Sequence, residues 1–154
     1  MRVISEATVY LKNWIENFLD KPHSAFNGYS PCPFAKKSLD ENKVIFLSCT
    51  EKTFPSCISM AGYDVVIYVF EDDIDPDTLS NLAEHFNKNN SQLVALEDHP
   101  LEKERVQDCV LNNGKYCTIF IQARSKLEKF RNTLKKTAYY DNWTLDYVED
   151  VINR

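Results

Sequence analysis

The spacing of apolar residues changes period several times along the chain, and each change marks an element. Ile4, Ala7, Leu11, Trp14, Ile15, Phe18 and Leu19 recur at three- and four-residue intervals, with Lys12, Asn13, Glu16 and Asn17 between them. That pattern lays one apolar stripe on an amphipathic helix, with Ser5 suited to cap it and Pro22 just past its end. Turn-forming residues fill 22–31, and a short helix is expected from about Pro33 to Asn42. Two runs dense in Val, Ile, Phe and Tyr, Lys43–Ser48 and Asp64–Phe70, predict strands. Asp75 before Pro76 is a strong helix start, because an aspartate accepts from free N–H groups and proline lacks the N–H that would be orphaned there. The helix runs through Leu79, Leu82, Ala83 and Phe86 and ends at Lys88-Asn89-Asn90. Strands Gln92–Glu97 and Tyr116–Gln122, a helix from Ser125 to about Tyr139, and a terminal helix Thr144–Ile152 complete the reading.

In order, the body reads ββα and then ββα. The halves match locally: Cys57 and Cys109 each stand five residues before a glycine, Gly62 and Gly114. Val65–Val69 aligns with Cys117–Ile121, and Leu79, Leu82 and Phe86 fall on Leu127, Phe130 and Leu134 once a gap is allowed, which suggests an internal repeat. The expected fold is α/β of the α+β kind: a mainly antiparallel four-stranded sheet from two ββα units, with helices packed on one face and the N-terminal helix added. The long connections Thr50–Tyr63 and Asp98–Lys115 are then the places to look for a cleft.

Composition bounds the function. A chain of 154 residues is expected to form a single domain, and a 44% apolar content excludes a disordered tail. No apolar run reaches membrane-spanning length, and no basic-then-apolar leader opens the chain. The five cysteines, Cys32, Cys49, Cys57, Cys109 and Cys117, are odd in number and include no CxxC pair, which predicts free thiols in a reducing, cytoplasmic setting. A net charge of −5 argues against a general nucleic-acid coat. The charge is uneven, however. Arg124, Lys126, Lys129, Arg131, Lys135 and Lys136 face only Glu128, so 124–136 carries +5. That helix is a candidate contact for an anionic ligand or an acidic partner, with Arg124, Lys126, Lys129 and Arg131 foremost. With glycine only at 28, 62 and 114, no phosphate-binding glycine loop exists.

The candidate chemistry centres on Ser30-Pro31-Cys32-Pro33-Phe34-Ala35-Lys36-Lys37. Pro33 at the first helical position would put Cys32 at the N-cap, where free N–H groups, the helix dipole and Lys36 favour a reactive thiolate. His99, beside Glu97 and Asp98 at a strand end, is a candidate general base with Asp98 or Glu97 orienting its ring. A metal site would draw on Cys32, His99, His23 and Asp98, which follow no recognised ligand spacing. The acidic run Glu71–Asp77 lacks the glycine and spaced ligands of a calcium loop and reads as the start of a helix.

Two resemblances follow from these residues. The Cys-Pro-aromatic turn resembles that of glutaredoxin-type redox proteins, although Ala35 replaces the second thiol and no buried strand leads into Cys32. More extensively, the chain resembles an uncharacterised bacterial protein family with a Trp-bearing N-terminal helix, a Cys-Pro-Phe-Ala-Lys turn, an αβ body and a His-Pro pair. Here these are Trp14, Cys32–Lys36 and His99-Pro100. The chain departs from that family in Glu97-Asp98, where the family tends to be apolar, and in a shorter C-terminal part. The resemblance implies an αβ sandwich, points to Cys32 and His99, and implies no reaction. The leading expectation is a small enzyme using Cys32, His99, Lys36 and Asp98 on a small molecule by thiol-dependent transfer or redox chemistry, with no cofactor specified. The alternatives are a non-catalytic module docking an acidic partner or anionic ligand through the basic helix, and a metal-dependent enzyme.

Overall fold

The computed structural model describes residues 2–152, with side chains from Ile4 onward. Helix α1 (Arg2–Trp14) continues into a widened π turn over Ile15–Leu19, and a single 3-10 turn spans Ser24–Phe26. Then come α2 (Ala35–Asp40), strands β1 (Val44–Cys49) and β2 (Val65–Phe70), and α3 (Pro76–Asn89). Strand β3 (Leu93–Asp98) precedes a two-stranded hairpin, β4 (Arg105–Val106) and β5 (Cys109–Val110). Strand β6 (Thr118–Ala123) leads directly into α4 (Arg124–Lys135), followed by a 3-10 turn (Ala138–Tyr140) and α5 (Leu145–Ile152). Asp75 caps α3 as its sequence implies, accepting from the Thr78 N–H at 2.9 Å.

The four-stranded sheet has the order β1-β2-β6-β3. Two of its ladders, β2/β6 and β6/β3, are antiparallel, but β1 and β2 run parallel. The sheet is therefore mixed rather than purely antiparallel. The connection over 50–64 explains the parallel pair: same-direction neighbours need a crossover of roughly a dozen residues or more, and a hairpin would need only a few. Phe54, Ile58 and Met60 from that connection pack on the sheet beside α3.

The helices divide between the two faces of the sheet, which corrects the expectation that they share one. Successive strand residues point to opposite sides. Val66, Tyr68 and Phe70 of β2 join Ile119 and Ile121 of β6 against Leu79, Ala83 and Phe86 of α3. Ile67 and Val69 face the other way, against Ala7 and Leu11 of α1. A third cluster, around Phe26, Val106, Cys109, Leu134 and Tyr139, gathers the C-terminal segments with the turn before Cys32. Burying a Leu, Ile or Phe side chain contributes about 1.5–3 kcal/mol, and Leu11, Leu79, Ile119, Ile121, Phe26 and Phe86 are all at most 1% exposed. The edge of β3 is covered by Asn87 of α3, which donates to the Ala95 carbonyl (3.0 Å) and accepts from the Ala95 N–H (2.7 Å). Among the described residues no helix is long and apolar enough to cross a membrane.

Candidate functional site

The α1 and α4 face of the sheet is not completely filled. A cavity of about 230 Å³ lies over it, floored by Val44, Val65, Ile67, Leu96, Phe120 and Gln122. Ile15 and Leu19 of the π turn form one wall, Pro31–Ala35 another, and Leu127, Phe130, Arg131 and Leu134 of α4 a third. Tyr139, Tyr140, Trp143 and Val151 close the remaining side. The π turn replaces the last stretch of the expected α-helix, and both Ile15 and Leu19 reach the wall from it. Phe34 and Phe130 stack across the cavity's edge with ring centres 4.1 Å apart and planes 14° from parallel.

Cys32 is in this wall, half-buried. Its N–H donates to the Leu19 carbonyl at 3.0 Å, which fastens the turn to the π segment. The Tyr139 hydroxyl donates to the carbonyl of Pro31, so the turn is held from the C-terminal side as well. Helix α2 starts at Ala35 with Phe34 in the cap position, two residues later than the expected N-cap at Cys32. The N–H groups of Phe34 and Ala35 do reach the thiol, but burial outweighs them and raises the Cys32 pKa above its usual value, with the charge of Asp20 adding to the rise. The thiol is thus kept protonated, the opposite of the expected activation. Lys36 gives no help: its ammonium pairs with Asp40 at 2.6 Å, one turn along α2.

His99 and Asp98 are elsewhere. The cavity floor uses the beginnings of β1 and β2 and the end of β6, whereas Asp98 pairs with Thr118 at the far end of the sheet. His99 is buried there, with Nε2 2.5 Å from the Ile74 carbonyl and Nδ1 accepting from the Leu101 N–H at 3.0 Å. Because Nδ1 accepts, Nε2 carries the proton, and both nitrogens are committed to backbone. Asp98 accepts from Asn112 Nδ2 (2.7 Å), from Asn113 Nδ2 (2.6 Å) and from the Asn113 N–H (3.1 Å). Asn113 in turn accepts from the N–H groups of Lys115 and Tyr116, and its carbonyl receives the Tyr10 hydroxyl. Asp98 therefore organises the connection from β3 to β6. Burial raises its pKa despite these donors. Cys32 and His99 do not form a nucleophile–base couple in this arrangement.

The proposed metal ligands are dispersed in the same way. His23 caps the 3-10 turn by accepting from the Ala25 N–H at 3.0 Å, and no group of three or more metal-ligating side chains converges among the described residues. All five cysteines are free, and only Cys57 is exposed. The basic helix also does not present one continuous face. Arg124 donates to the Ser91 carbonyl at 2.9 Å, Lys126 pairs with Asp64 at 2.6 Å, and Lys129 points to solvent. Arg131 turns inward and is only 6% exposed.

Two of these side chains give the cavity its polar character. Asp64 accepts from Lys126 at 2.6 Å and from the Ser38 hydroxyl at 2.8 Å. Partial burial would raise its pKa, but these two hydrogen bonds with the charges of Lys126 and Lys43 together hold it below the usual carboxylate value. Arg131 donates to the carbonyls of Val151 (2.9 Å) and Ile152 (3.5 Å) in the last turn of α5. Gln122 Oε1 and Trp143 Nε1 are buried with no hydrogen-bond partner among the described residues. Neither atom is marked out by residue pattern, because each depends on what the fold places around it.

No protein-family model, curated protein or solved structure matches the chain. The functional reading therefore rests on the cavity.

Proposed function

We propose that this chain is a non-catalytic binding module that takes a compact, largely apolar small molecule in the cavity beside Cys32. The cavity itself carries the reading: an apolar space of about 230 Å³ with buried polar atoms left unpaired at its margin. An apolar cavity of about 150 Å³ takes up benzene, so this one accommodates a ring with a short arm or two fused rings. Binding sites of this kind combine apolar walls with a few polar groups that fix orientation. Here Gln122 Oε1 can accept from a ligand donor and the Trp143 indole N–H can donate to a ligand acceptor. Cys32 then serves as wall and anchor, since burial keeps its thiol protonated and His99 lies at the far end of the sheet.

Indole is a suitable first probe, being apolar, fused and equipped with one N–H donor. A ligand at about 100 times its Kd stabilises the folded state by about 2.7 kcal/mol, so saturating indole should raise Tm clearly. Leu127→Trp fills the space from α4 and should abolish the rise. A Tm indifferent to indole, or an equal rise in the Leu127→Trp variant, overturns the reading.

A further inference from the structure

We propose that the ligand is a monoanion, an aryl compound on a short arm ending in a carboxylate, and that Arg131 holds the carboxylate. The proposal rests on the reading of the Cys32 cavity as a binding site and adds the chemical class of its occupant.

Three charged side chains line the cavity: Asp64, Lys126 and Arg131. The first two neutralise each other at 2.6 Å. Arg131 has no such ion pair among the described residues, and Glu128, one turn back on α4, acts on it only through space. Arg131 is 6% exposed. Its assigned acceptors are two backbone carbonyls, of Val151 and Ile152. A guanidinium carries more N–H donors than those two carbonyls occupy. A buried cation without a counter-charge is costly unless something supplies one.

The neighbouring groups lean the same way. Tyr140 interacts electrostatically with Arg131, and its ring centre is 4.8 Å from that of Trp143. Burial raises the pKa of the Tyr140 phenol, so it keeps its proton and remains a donor. Trp143 Nε1 offers a second, unpartnered N–H. Guanidinium, indole and phenol together present donors in excess of acceptors, the complement of a carboxylate, whose two oxygens accept several N–H bonds and suit a planar guanidinium. A neutral occupant with a single acceptor would pair fewer of those donors and would supply no counter-charge. A dianion would exceed the single charge available.

The test compares two molecules that differ only at the head, 3-phenylpropanoate and 3-phenylpropanamide, by calorimetric titration and by displacement of indole. The acid is expected to bind the wild-type chain at least tenfold more tightly than the amide. Arg131→Gln is expected to bind the amide as the wild type does and to lose the preference for the acid. Lys129→Met, which removes a solvent-facing cation of α4 outside the cavity lining, should retain that preference, which keeps the assignment testable where Arg131→Gln fails to fold. Equal binding of acid and amide to the wild type overturns the anion proposal and leaves the cavity reading standing. Loss of the preference in Lys129→Met overturns the assignment to Arg131. Failure of indole and both phenyl compounds to bind overturns the cavity reading and this proposal together.

Discussion

Asp98→Ala separates a structural carboxylate from a catalytic one. In the native chain Asp98 accepts from Asn112 Nδ2, Asn113 Nδ2 and the Asn113 N–H at 2.7, 2.6 and 3.1 Å. Hydrogen bonds to a charged group contribute about 1.5–3 kcal/mol each. Two of the three donors keep a second acceptor, since Asn112 also reaches the His99 carbonyl and Asn113 Nδ2 the Tyr116 carbonyl. The Asn113 N–H is left with none. Removing the carboxylate also removes its own desolvation cost, which burial makes large enough to raise its pKa. The net loss is expected to be about 3 kcal/mol. For a chain of this size each kcal/mol moves Tm by about 2–4 °C, so Tm should fall by about 6–12 °C. Urea unfolding followed by tryptophan fluorescence and circular dichroism measures the loss, and indole titration below the new Tm measures the site. The affinity per folded molecule should be unchanged. A loss under about 1 kcal/mol together with abolished binding would refute the assignment of Asp98 to the framework.

Other perturbations test other parts of the account. Iodoacetamide followed by peptide mapping at neutral pH should label Cys57 first, with Cys32 among the slow thiols because burial raises its pKa; labelling of Cys32 as fast as Cys57 would restore the thiolate reading. Phe130→Ala removes the ring stacked 4.1 Å from Phe34 and should cost about 2 kcal/mol for a half-buried aromatic, with indole affinity weakened about tenfold, whereas unchanged affinity would place the ligand elsewhere. Burial holds the Cys49 thiol up to about 12 in the folded chain against the usual 9.0. The unfolded thiol then ionises first, so the stability contributed by this group should fall as pH rises from 9 toward 12 and should be level below 9. A Cys49→Ala variant with the same alkaline slope as the wild type would remove that attribution.

Much of the layout was legible because local signals and tertiary packing agree. The stripe from Ile4 to Trp14 does face the sheet, Asp75-Pro76 does open α3, and the runs Val44–Cys49 and Val65–Phe70 are strands. What sequence periodicity does not encode is which strands neighbour each other. The insertion of β6 between β2 and β3, and with it the helices on both faces, is a long-range choice. The fifteen-residue span 50–64 was a readable hint of a parallel crossover. The hairpin Arg105–Val110 has no readable signature, because its strands have two residues each and its turn uses Gln107 at φ 54°, with no glycine to announce it.

The site was half visible. Cys32 stood out because two prolines fix its backbone, and the cavity is indeed there. His99 and Asp98 stand out by residue type, by their place at a strand end and, for His99, by the His-Pro resemblance, whereas their partners are those of a folded loop and not of a catalytic couple. Arg131 is the converse case. The sequence offers it as one of four cationic side chains on a helix suited to an anion or an acidic partner, and only the packing of α4 against α5 distinguishes it as the buried one.

Methyl-resolved NMR titration with indole addresses the central claim most directly. Saturable shifts are expected on Ile15, Leu19, Ile67 and Leu127, which line the cavity, with Ile45, Leu79 and Leu93 on the α3 side silent. Shifts that never saturate, or that centre on the α3 side, would contradict the account.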